Sequence, residues 1–355
     1  MENSDVSTAS TTTTPVVFTG KAGEFFGIWL VNILLSIVTL GIYSAWAKVR
    51  TLQYFYGNTS IDNHNFSYLA TPMQILKGRI LAVILFAVYT LTTQFLPMVG
   101  LAVIVAVLFL MPWLINQSLR FNSRMTSYRN VRFAFKGSYG YALLYFIILP
   151  ILSVFTLYLL LPWALKKMDE YIYSNLSYGD KPLKTNISAV EYYSTSLIVL
   201  GVSIMFGVAV SIAVGAGAVA GGMSDGLNLD SLMSFAGVIM LVVYLILISV
   251  ISAIYRARIR NHIFNNTEIE GLTTFTSKVS VSEYAMLLFV NTLAIVFTLG
   301  LAYPWTAIRQ SAYLASVTEL EIVDGAQAVL DTMEEQQSSF AEEAAEVFDV
   351  DIALT

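Results

Sequence analysis

The chain has 355 residues, of which 56% are hydrophobic and only 12% are charged, and its formal net charge is −5. Soluble domains carry about 25% charged residues, so this composition excludes an ordinary soluble fold and predicts a polytopic membrane protein. Cysteine is absent and only two histidines occur, which excludes disulfides, thiolate metal sites and multi-histidine metal sites. We expect no cofactor and no metal.

The N-terminal segment, residues 1–17, is predicted to be a disordered tail. Its opening sequence "MENSDVSTASTTTTP" is acidic and rich in Thr. It has neither the basic region nor the apolar region of a cleavable signal peptide. We therefore expect the first apolar helix to direct the chain to the membrane.

Three segments further along the chain match one another without gaps and are anchored on Thr39, Thr156 and Thr298. A Trp follows each Thr after seven residues, and a basic residue and a Tyr follow at steps of four. Two more segments share the second half of this pattern. Such self-similarity is typical of repeat architectures, and we expect a membrane domain over residues 18–320. Its predicted units cover about residues 18–72, 73–137, 138–189, 190–281 and 282–320.

The apolar stretches of these units differ in length. Residues 80–117 and 197–255 are long enough for two spans each, since one span needs about 20 apolar residues. The stretches at residues 24–46, 139–165 and 283–305 either cross once or form short hairpins that re-enter on one face. The basic residues favour re-entry, because all 19 Lys and Arg then lie on one side, as the positive-inside rule predicts for the cytoplasm.

Each unit ends in a polar stretch, such as "NTSIDNHNFSY", in which residues alternate around Asn, Asp or Gly turn signals. This pattern predicts β-hairpins outside the bilayer. The predicted fold class is therefore mainly α, a polytopic α-helical membrane protein built from five related units. Long helical hairpins alternate in it with short re-entrant or single-span helices, and β-hairpins lie on the cytoplasmic face.

Two stretches carry a resemblance to a known family: "EFFGIWLVNILLSIVTLGIYSAWAKVRTLQYFYGNT" and "EYAMLLFVNTLAIVFTLGLAYPWTAIRQSAY". The pattern resembles the YjgN family, also called DUF898, over roughly residues 16–320. The resemblance implies a multi-pass protein of the bacterial inner membrane but no particular activity, because the family is uncharacterised. It also implies a protease as a candidate partner, since a metallopeptidase is sometimes encoded near members of the family.

Two acidic residues begin the first and last of the matching segments. Glu24 and Glu283 each precede a basic residue, Arg50 and Arg309 respectively, by 26 residues. The two ends of a re-entrant hairpin meet at one face, so each acid and its arginine are a candidate structural or gating pair. The simpler interpretation is a salt bridge that fixes the hairpin.

A second group of candidates is polar and lies in apolar surroundings, where a buried polar group must find a partner. Asn commonly joins membrane helices through hydrogen bonds, although intramembrane polar residues also line functional pathways. The sequence contains no nucleophile elbow, phosphate-binding Gly loop or HExxH motif, so no catalytic residue is predicted. The candidate intramembrane polar residues are Asn32, Asn291, Thr39, Thr156 and Thr298.

The C-terminal segment, residues 321–355, contains acidic but no basic residues. An acidic tail is typical of a solubilising or docking segment, and we expect it to bind a basic partner. Part of it fits a loosely amphipathic helix, with apolar positions at Val329, Leu330, Met333, Phe340, Ala344 and Phe348.

The sequence predicts transport or channel-like passage of a small solute, ion or lipid, because re-entrant hairpins and repeats are common in such proteins. The alternative is a non-catalytic membrane scaffold or partner subunit, which would bind another protein through the acidic tail or through strand addition to the β-hairpins. An enzyme is not expected. The basic stretches adjoin membrane segments, so they favour contact with membrane lipids over nucleic acid.

Overall fold

The computed structural model describes residues 11–95, 97–222, 229–323 and 328–335. The first ten residues of the predicted N-terminal tail lie outside this range. Most of the predicted acidic tail also lies outside it, including Phe340, Ala344 and Phe348.

Ten short antiparallel strands form one closed barrel, in the order β1-β10-β9-β8-β7-β6-β5-β4-β3-β2. The first and last strands of the chain pair with each other and so close it. The strands are β1 (Thr11–Phe18), β2 (Thr59–Ile61), β3 (His64–Tyr68), β4 (Thr126–Tyr128), β5 (Val131–Phe135), β6 (Leu176–Tyr178), β7 (Lys181–Thr185), β8 (Thr267–Ile269), β9 (Thr273–Ser277) and β10 (Thr318–Val323).

Tight turns join the strands that follow each other directly. Asp62 and Asn63 connect β2 to β3 with φ of 48° and 60°, and Arg129 and Asn130 connect β4 to β5 with φ of 47° and 61°. Two consecutive positive φ angles are the signature of the type I′ turn, whose twist matches that of a β-hairpin. These Asn and Asp residues are the turn signals read from the sequence.

The predicted fold class is wrong in two respects. The β-hairpins are not separate, because β3 pairs with β4, β5 with β6 and β7 with β8, and lateral pairing removes the unpaired backbone groups of exposed edges. The five related units are not shown by the structure either, since the strands form one continuous barrel.

The predicted disordered tail is also corrected, because its residues from Thr11 onward form β1, which pairs with both β10 and β2.

The helices lie between the strands and all join them at the same rim. Between α5 and α6, Leu144–Ile148 form a π-helical turn. The helices are α1 (Ala22–Val38), α2 (Ser44–Gly57), α3 (Pro72–Phe95), α4 (Pro97–Arg124), α5 (Tyr139–Leu143), α6 (Leu149–Phe155), α7 (Leu161–Ser174), α8 (Ala189–Gly222), α9 (Leu229–Asn265), α10 (Val281–Phe297) and α11 (Tyr303–Ser316). A further helix covers residues 328–335 and is called the tail helix.

Four stretches of helix among the described residues are long and apolar enough to cross a membrane: Pro72–Phe95, Met98–Arg124, Ala189–Ala213 and Met240–Asn265. The shorter apolar helices, such as α1 and α10, have 17 residues and fold back on the helix that follows them. Each helix contacts the next along the chain, and α11 returns to α1, where the rings of Trp29 and Tyr303 lie 6.2 Å apart. The helices therefore form a closed ring.

The two rims of the barrel are different. Every helix connection leaves the barrel where Phe18 pairs with Thr59 and where Ser277 pairs with Thr318. We call this end the helix-side rim. The tight turns lie at the opposite end, the turn-side rim.

An apolar cluster lies inside the barrel toward the turn-side rim. Leu330 and Met333 of the tail helix are buried in it beside residues of the strands and turns. The described part of the acidic tail thus packs onto the barrel of its own chain. The barrel contributes Val131, Tyr178, Ile269 and Leu272 to the buried cluster, with Tyr128, Phe133, Leu183, Phe275 and Ile322 packed against it.

Candidate functional site

The predicted polar residue Thr39 closes the tip of the hairpin formed by α1 and α2. Its Oγ1 donates to the Leu35 carbonyl at 2.7 Å and accepts from the Tyr43 N–H at 2.9 Å. Leu40 and Gly41 follow with φ of 50° and 90°. Glycine adopts a positive φ without steric cost.

The last short hairpin, α10 and α11, has the same tip. Thr298 Oγ1 donates to the Ala294 carbonyl at 2.7 Å and accepts from the Ala302 N–H at 2.9 Å. Leu299 and Gly300 have φ of 51° and 93°. The side chain of Leu299 is 94% exposed, as expected for a tip that inserts into apolar surroundings.

Thr156 occupies the tip between α6 and α7. Its Oγ1 donates to the Ser153 carbonyl at 3.1 Å and accepts from the Leu160 N–H at 3.2 Å. Leu157 and Tyr158 take the positive φ angles there, 52° and 64°. All three threonines therefore hold turns rather than line a shared pathway.

Asn32 and Asn291 are buried and join the two helices of their hairpins. Their Nδ2 groups donate to the carbonyls of Ala47 and Thr306, each at 3.4 Å. The Oδ1 atoms are buried and have no hydrogen-bond partner among the described residues. The placement matches the expected role of Asn between membrane helices.

Glu24 and Arg50 lie at the same end of their hairpin but bind other groups. Glu24 pairs with Lys21 at 3.5 Å and accepts from the Tyr54 hydroxyl at 3.2 Å. Arg50 donates to the Tyr43 hydroxyl at 2.9 Å. The ends of α1 and α2 meet, as a re-entrant hairpin requires, through the tyrosine one turn beyond the arginine.

Glu283 and Arg309 both line an open groove of about 650 Å³ on the last short hairpin. Glu283 accepts from the Tyr313 hydroxyl at 3.3 Å, and Arg309 lies 5.2 Å from the centre of the Trp305 ring. Among the described residues, Glu283 forms no ion pair with Arg309, and Glu24 forms none with Arg50. Their contacts match hairpin closure better than a gate.

The structure brings together a group of residues that the sequence did not single out. A cavity of about 350 Å³ lies among α7, α9, α10 and α11, close to where these helices join the barrel. We call it the rim cavity. Its polar lining consists of Asp169, Tyr173, Tyr255, Arg256, Arg260 and Tyr284.

Arg260 connects the rim cavity to the barrel interior. Its Nη2 donates to Thr318 Oγ1 at 2.9 Å, and its guanidinium lies 4.1 Å from the centre of the Phe264 ring. Thr318 is buried and shares its strand face with Leu320, so it points inward. Phe264 in turn packs on the inward-facing Phe275 with ring centres 6.2 Å apart. The cavity therefore lies at the inner side of the helix-side rim.

Asp169 supplies the carboxylate of the rim cavity. It accepts from the Tyr192 hydroxyl at 2.7 Å and forms no ion pair with a described residue. Burial raises the pKa of Asp169, and the hydrogen bond from Tyr192 partly opposes this shift. The cavity thus combines a destabilised carboxylate with two guanidinium groups.

A spacing signal could have found the two arginines. Arg256 and Arg260 are four residues apart in "RARIRN" and so share one helix face, whereas Arg258 faces elsewhere and pairs with Glu191 at 2.5 Å. No comparable spacing marks Asp169, which stands among other charges in α7. The described residues contain no group of three or more side chains able to hold a metal.

Comparisons with known proteins agree on one family. A family model described as "Bacterial protein of unknown function (DUF898)" matches residues 13–347. The chain is 35% identical over 147 residues to a Salmonella typhimurium protein named "Inner membrane protein YjgN", an alignment that covers 41% of the chain and 37% of the relative. It is 33% identical over 123 residues to the protein of that name from Escherichia coli O157:H7, covering 34% of the chain and 31% of the relative.

The aligned part spans only about a third of the length of these curated relatives. No solved structure matches the chain at a significant level. The comparisons therefore give a family, while the arrangement of barrel and helices comes from the structure described above.

Proposed function

The chain belongs to the DUF898 family of bacterial proteins, and from this premise we propose that it is a multi-pass inner-membrane protein that passes a small solute, ion or lipid. Its relatives are named inner membrane proteins. Its four candidate spans bury at most 22% of their most apolar stretch inside the protein, which leaves their side chains facing outward as lipid-exposed helices do.

One observation carries this proposal: a closed ring of helices lies on the rim of a closed barrel, and the rim cavity, which contains charged side chains, lies where they meet. Arg260 and Phe264 contact the inward-facing Thr318 and Phe275, so the rim cavity adjoins the barrel interior. A path enclosed by protein on all sides is what passage of a polar group through a bilayer requires.

The same path is closed at the turn-side rim. The apolar cluster there includes Leu330 and Met333 of the tail helix. The hydroxyls of its two tyrosines, Tyr128 and Tyr178, already donate to the carbonyls of Ile61 and Tyr128, so they offer water little to bind. We therefore take this arrangement to be the closed state, which the tail helix must leave for passage.

The barrel is proposed to face the cytoplasm. The Lys and Arg residues lie in or next to the strands, in the short helices, or in the barrel ends of the long helices. The positive-inside rule assigns such residues to the cytoplasmic side. Maleimide labelling of single cysteines at Asn65, Ala134 and Thr276 tests this orientation, because the chain has no cysteine of its own. Labelling of these positions from opposite sides would contradict it.

The alternative function is a scaffold or partner subunit. The two surfaces expected to bind its partner, the strand edges and the acidic tail, are both occupied within the chain. Closure of the barrel leaves no free edge among the described strands, so strand addition has no template there. The described part of the acidic tail binds Arg129 and Asn130 of its own chain. A protein partner would have to compete with these contacts.

A flux measurement tests the proposed function. The full chain is reconstituted in liposomes, and passage of K⁺, Cl⁻, inorganic phosphate and a fluorescent phospholipid is followed. The double variant Leu330→Asp/Met333→Asp removes the apolar contacts of the tail helix, and we expect it to raise the flux of at least one probe about tenfold or more.

The matched control is Val329→Asp. It adds one acidic charge to the tail helix at a residue that is 36% exposed. It is expected to behave as the unmodified chain. Flux no greater than that of protein-free liposomes, for every probe and in both the unmodified chain and the double variant, would contradict passage.

A further inference from the structure

The rim cavity has more hydrogen-bond donors than its own acceptors satisfy. Arg256, which is exposed, and Arg260, whose Nε is buried, form no ion pair with any described residue. The hydroxyls of Tyr173 and Tyr255 have no hydrogen-bond partner within the described part of the chain. Asp169 is the one carboxylate in the lining, and it already accepts a tyrosine hydroxyl. Such an arrangement calls for a ligand rich in acceptors.

Among the residues of the rim cavity, Arg260 has the greatest need for a hydrogen-bond acceptor from a ligand. One of its Nη groups binds Thr318, but its Nε is buried and has no hydrogen-bond partner among the described residues. A buried donor on a charged group is costly to leave without an acceptor. Guanidinium groups bind planar pairs of oxygen atoms through two parallel hydrogen bonds, so a ligand with several oxygens on one centre suits this position.

The remaining wall of the cavity is apolar. Ile259 and Ile263 of α9 line it together with Val279 and Leu314. A small inorganic anion alone would leave this wall facing water. A ligand that carries an apolar part beside its oxygens would cover it.

We propose that the rim cavity binds a phosphate ester. The phosphate oxygens accept from Arg256, Arg260 and the hydroxyls of Tyr173 and Tyr255, and the ester group lies against the aliphatic wall. Phosphate offers more acceptor oxygens than a carboxylate does, and so matches four donors. Asp169 lines the same cavity and disfavours further negative charge, which selects a single phosphate over a polyphosphate.

Two sources of this chemistry exist, a lipid headgroup and a soluble phosphate ester. Both arginines lie near the barrel end of the candidate span Met240–Asn265, which is where lipid headgroups meet an apolar helix. The inference rests on the proposed function only in taking the rim cavity as the functional site.

Calorimetry on the full chain in detergent tests the inference. The lipid probe is dihexanoylphosphatidic acid, the soluble probe is glycerol 3-phosphate, and dihexanoylglycerol is the probe without phosphate. We expect the unmodified chain to bind at least one phosphate probe and not dihexanoylglycerol. Binding of the lipid probe alone assigns the site to a headgroup, and equal binding of glycerol 3-phosphate assigns it to a soluble ester.

Arg260→Gln is expected to weaken binding of the phosphate probe at least about tenfold, because it removes a charged donor. The matched control is Lys77→Gln, an identical charge change at an exposed residue near the barrel end of α3, and it should bind as the unmodified chain does. The double variant Tyr173→Phe/Tyr255→Phe removes two hydroxyl donors with little change in side-chain volume, and it should also weaken binding. It keeps the test decisive if Arg260→Gln does not fold.

Three results would overturn the inference: no phosphate probe binds the unmodified chain, dihexanoylglycerol binds as tightly as the phosphate probes, or Arg260→Gln and Lys77→Gln lose affinity equally. Calorimetry does not depend on flux, so the two proposals fail separately. Binding without flux in any liposome keeps the phosphate site and removes passage, whereas flux without phosphate binding does the reverse.

Discussion

The two rims of the barrel differ in whether their arginines have acidic partners. At the turn-side rim, Arg129 is nearly fully buried and pairs with Asp331 and with Glu334, whose Oε2 lies 3.5 Å from its Nε. At the helix-side rim, Arg260 has a buried Nε and no acidic partner within the described part of the chain, and the exposed Arg256 beside it has none either. Burial with a partner stabilises a contact, whereas burial without one leaves donors for a ligand. The comparison assigns a seal to one rim and a binding site to the other.

The charges of the seal support this assignment. Burial by itself would lower the pKa of Arg129, but the hydrogen bond and charge of Asp331 and the charge of Glu334 raise it overall, so the guanidinium stays protonated. Burial also raises the pKa of the neighbouring Tyr128 to about 12. Arg129 and Tyr128 therefore keep the same charge state throughout the physiological range.

The largest expected effect comes from breaking the apolar part of the seal. Met333→Asp places a carboxylate in the apolar cluster and should cost about 2–5 kcal/mol of docking free energy. Cleavage after Glu334 by a glutamate-specific protease, measured by mass spectrometry, should accelerate at least about thirtyfold, the factor that 2 kcal/mol represents. Val329→Asp is the control, and equal acceleration by both variants would show that Met333 does not anchor the helix.

The charged part of the seal should matter less. Arg129→Gln removes the cation that binds two acids, but Asp331 is 59% exposed and regains water when freed. We expect a cost of about 1.5 kcal/mol and roughly tenfold faster cleavage in the same assay. An unchanged rate would mean that the tail helix is held by its apolar side chains alone.

The helix-side rim should respond to pH. The pKa of Asp169 is raised in the folded chain by burial, so the stability this group contributes is present below about pH 4, its unfolded value, and is lost as pH rises through the folded pKa. The thermal unfolding temperature of the unmodified chain should therefore fall, relative to that of Asp169→Asn, over this window. Parallel pH profiles of the two proteins would contradict a buried carboxylate.

The smallest effect on stability is expected for a cation that belongs neither to the seal nor to the rim cavity. Lys278 pairs with Glu319 at 3.0 Å, and their side chains are 69% and 37% exposed. Lys278→Gln should change the free energy of unfolding by less than about 0.5 kcal/mol, because water screens exposed pairs. A change as large as that of Arg129→Gln would remove the distinction between sealed and exposed charges.

The sequence predicted the features that rest on local signals. Hydropathy identified the long spans, and the alternation around Asn, Asp or Gly identified the short strands and their turns, because both patterns are local. The resemblance to the family was also correct, and the family model now extends it over residues 13–347.

The sequence could not predict features that depend on distant partners. The strand at Thr11–Phe18 reads as a polar tail, and only pairing with β10, about 300 residues away, makes it a strand. The rim cavity likewise collects Asp169 and Arg260 from helices that are not neighbours in the sequence. Alternation and hydropathy describe each segment, but they carry no information about which segments meet.

The most direct test of the account compares water access at the two rims. Single cysteines are introduced at Tyr173 in the rim cavity and at Leu272 beneath the tail helix, and a water-soluble maleimide is added to the full chain. We expect the cysteine at Tyr173 to react readily, and the cysteine at Leu272 to react only when Met333→Asp is also present. Equally fast labelling of both positions with the native tail helix would contradict a barrel that is open to a ligand at one rim and sealed at the other.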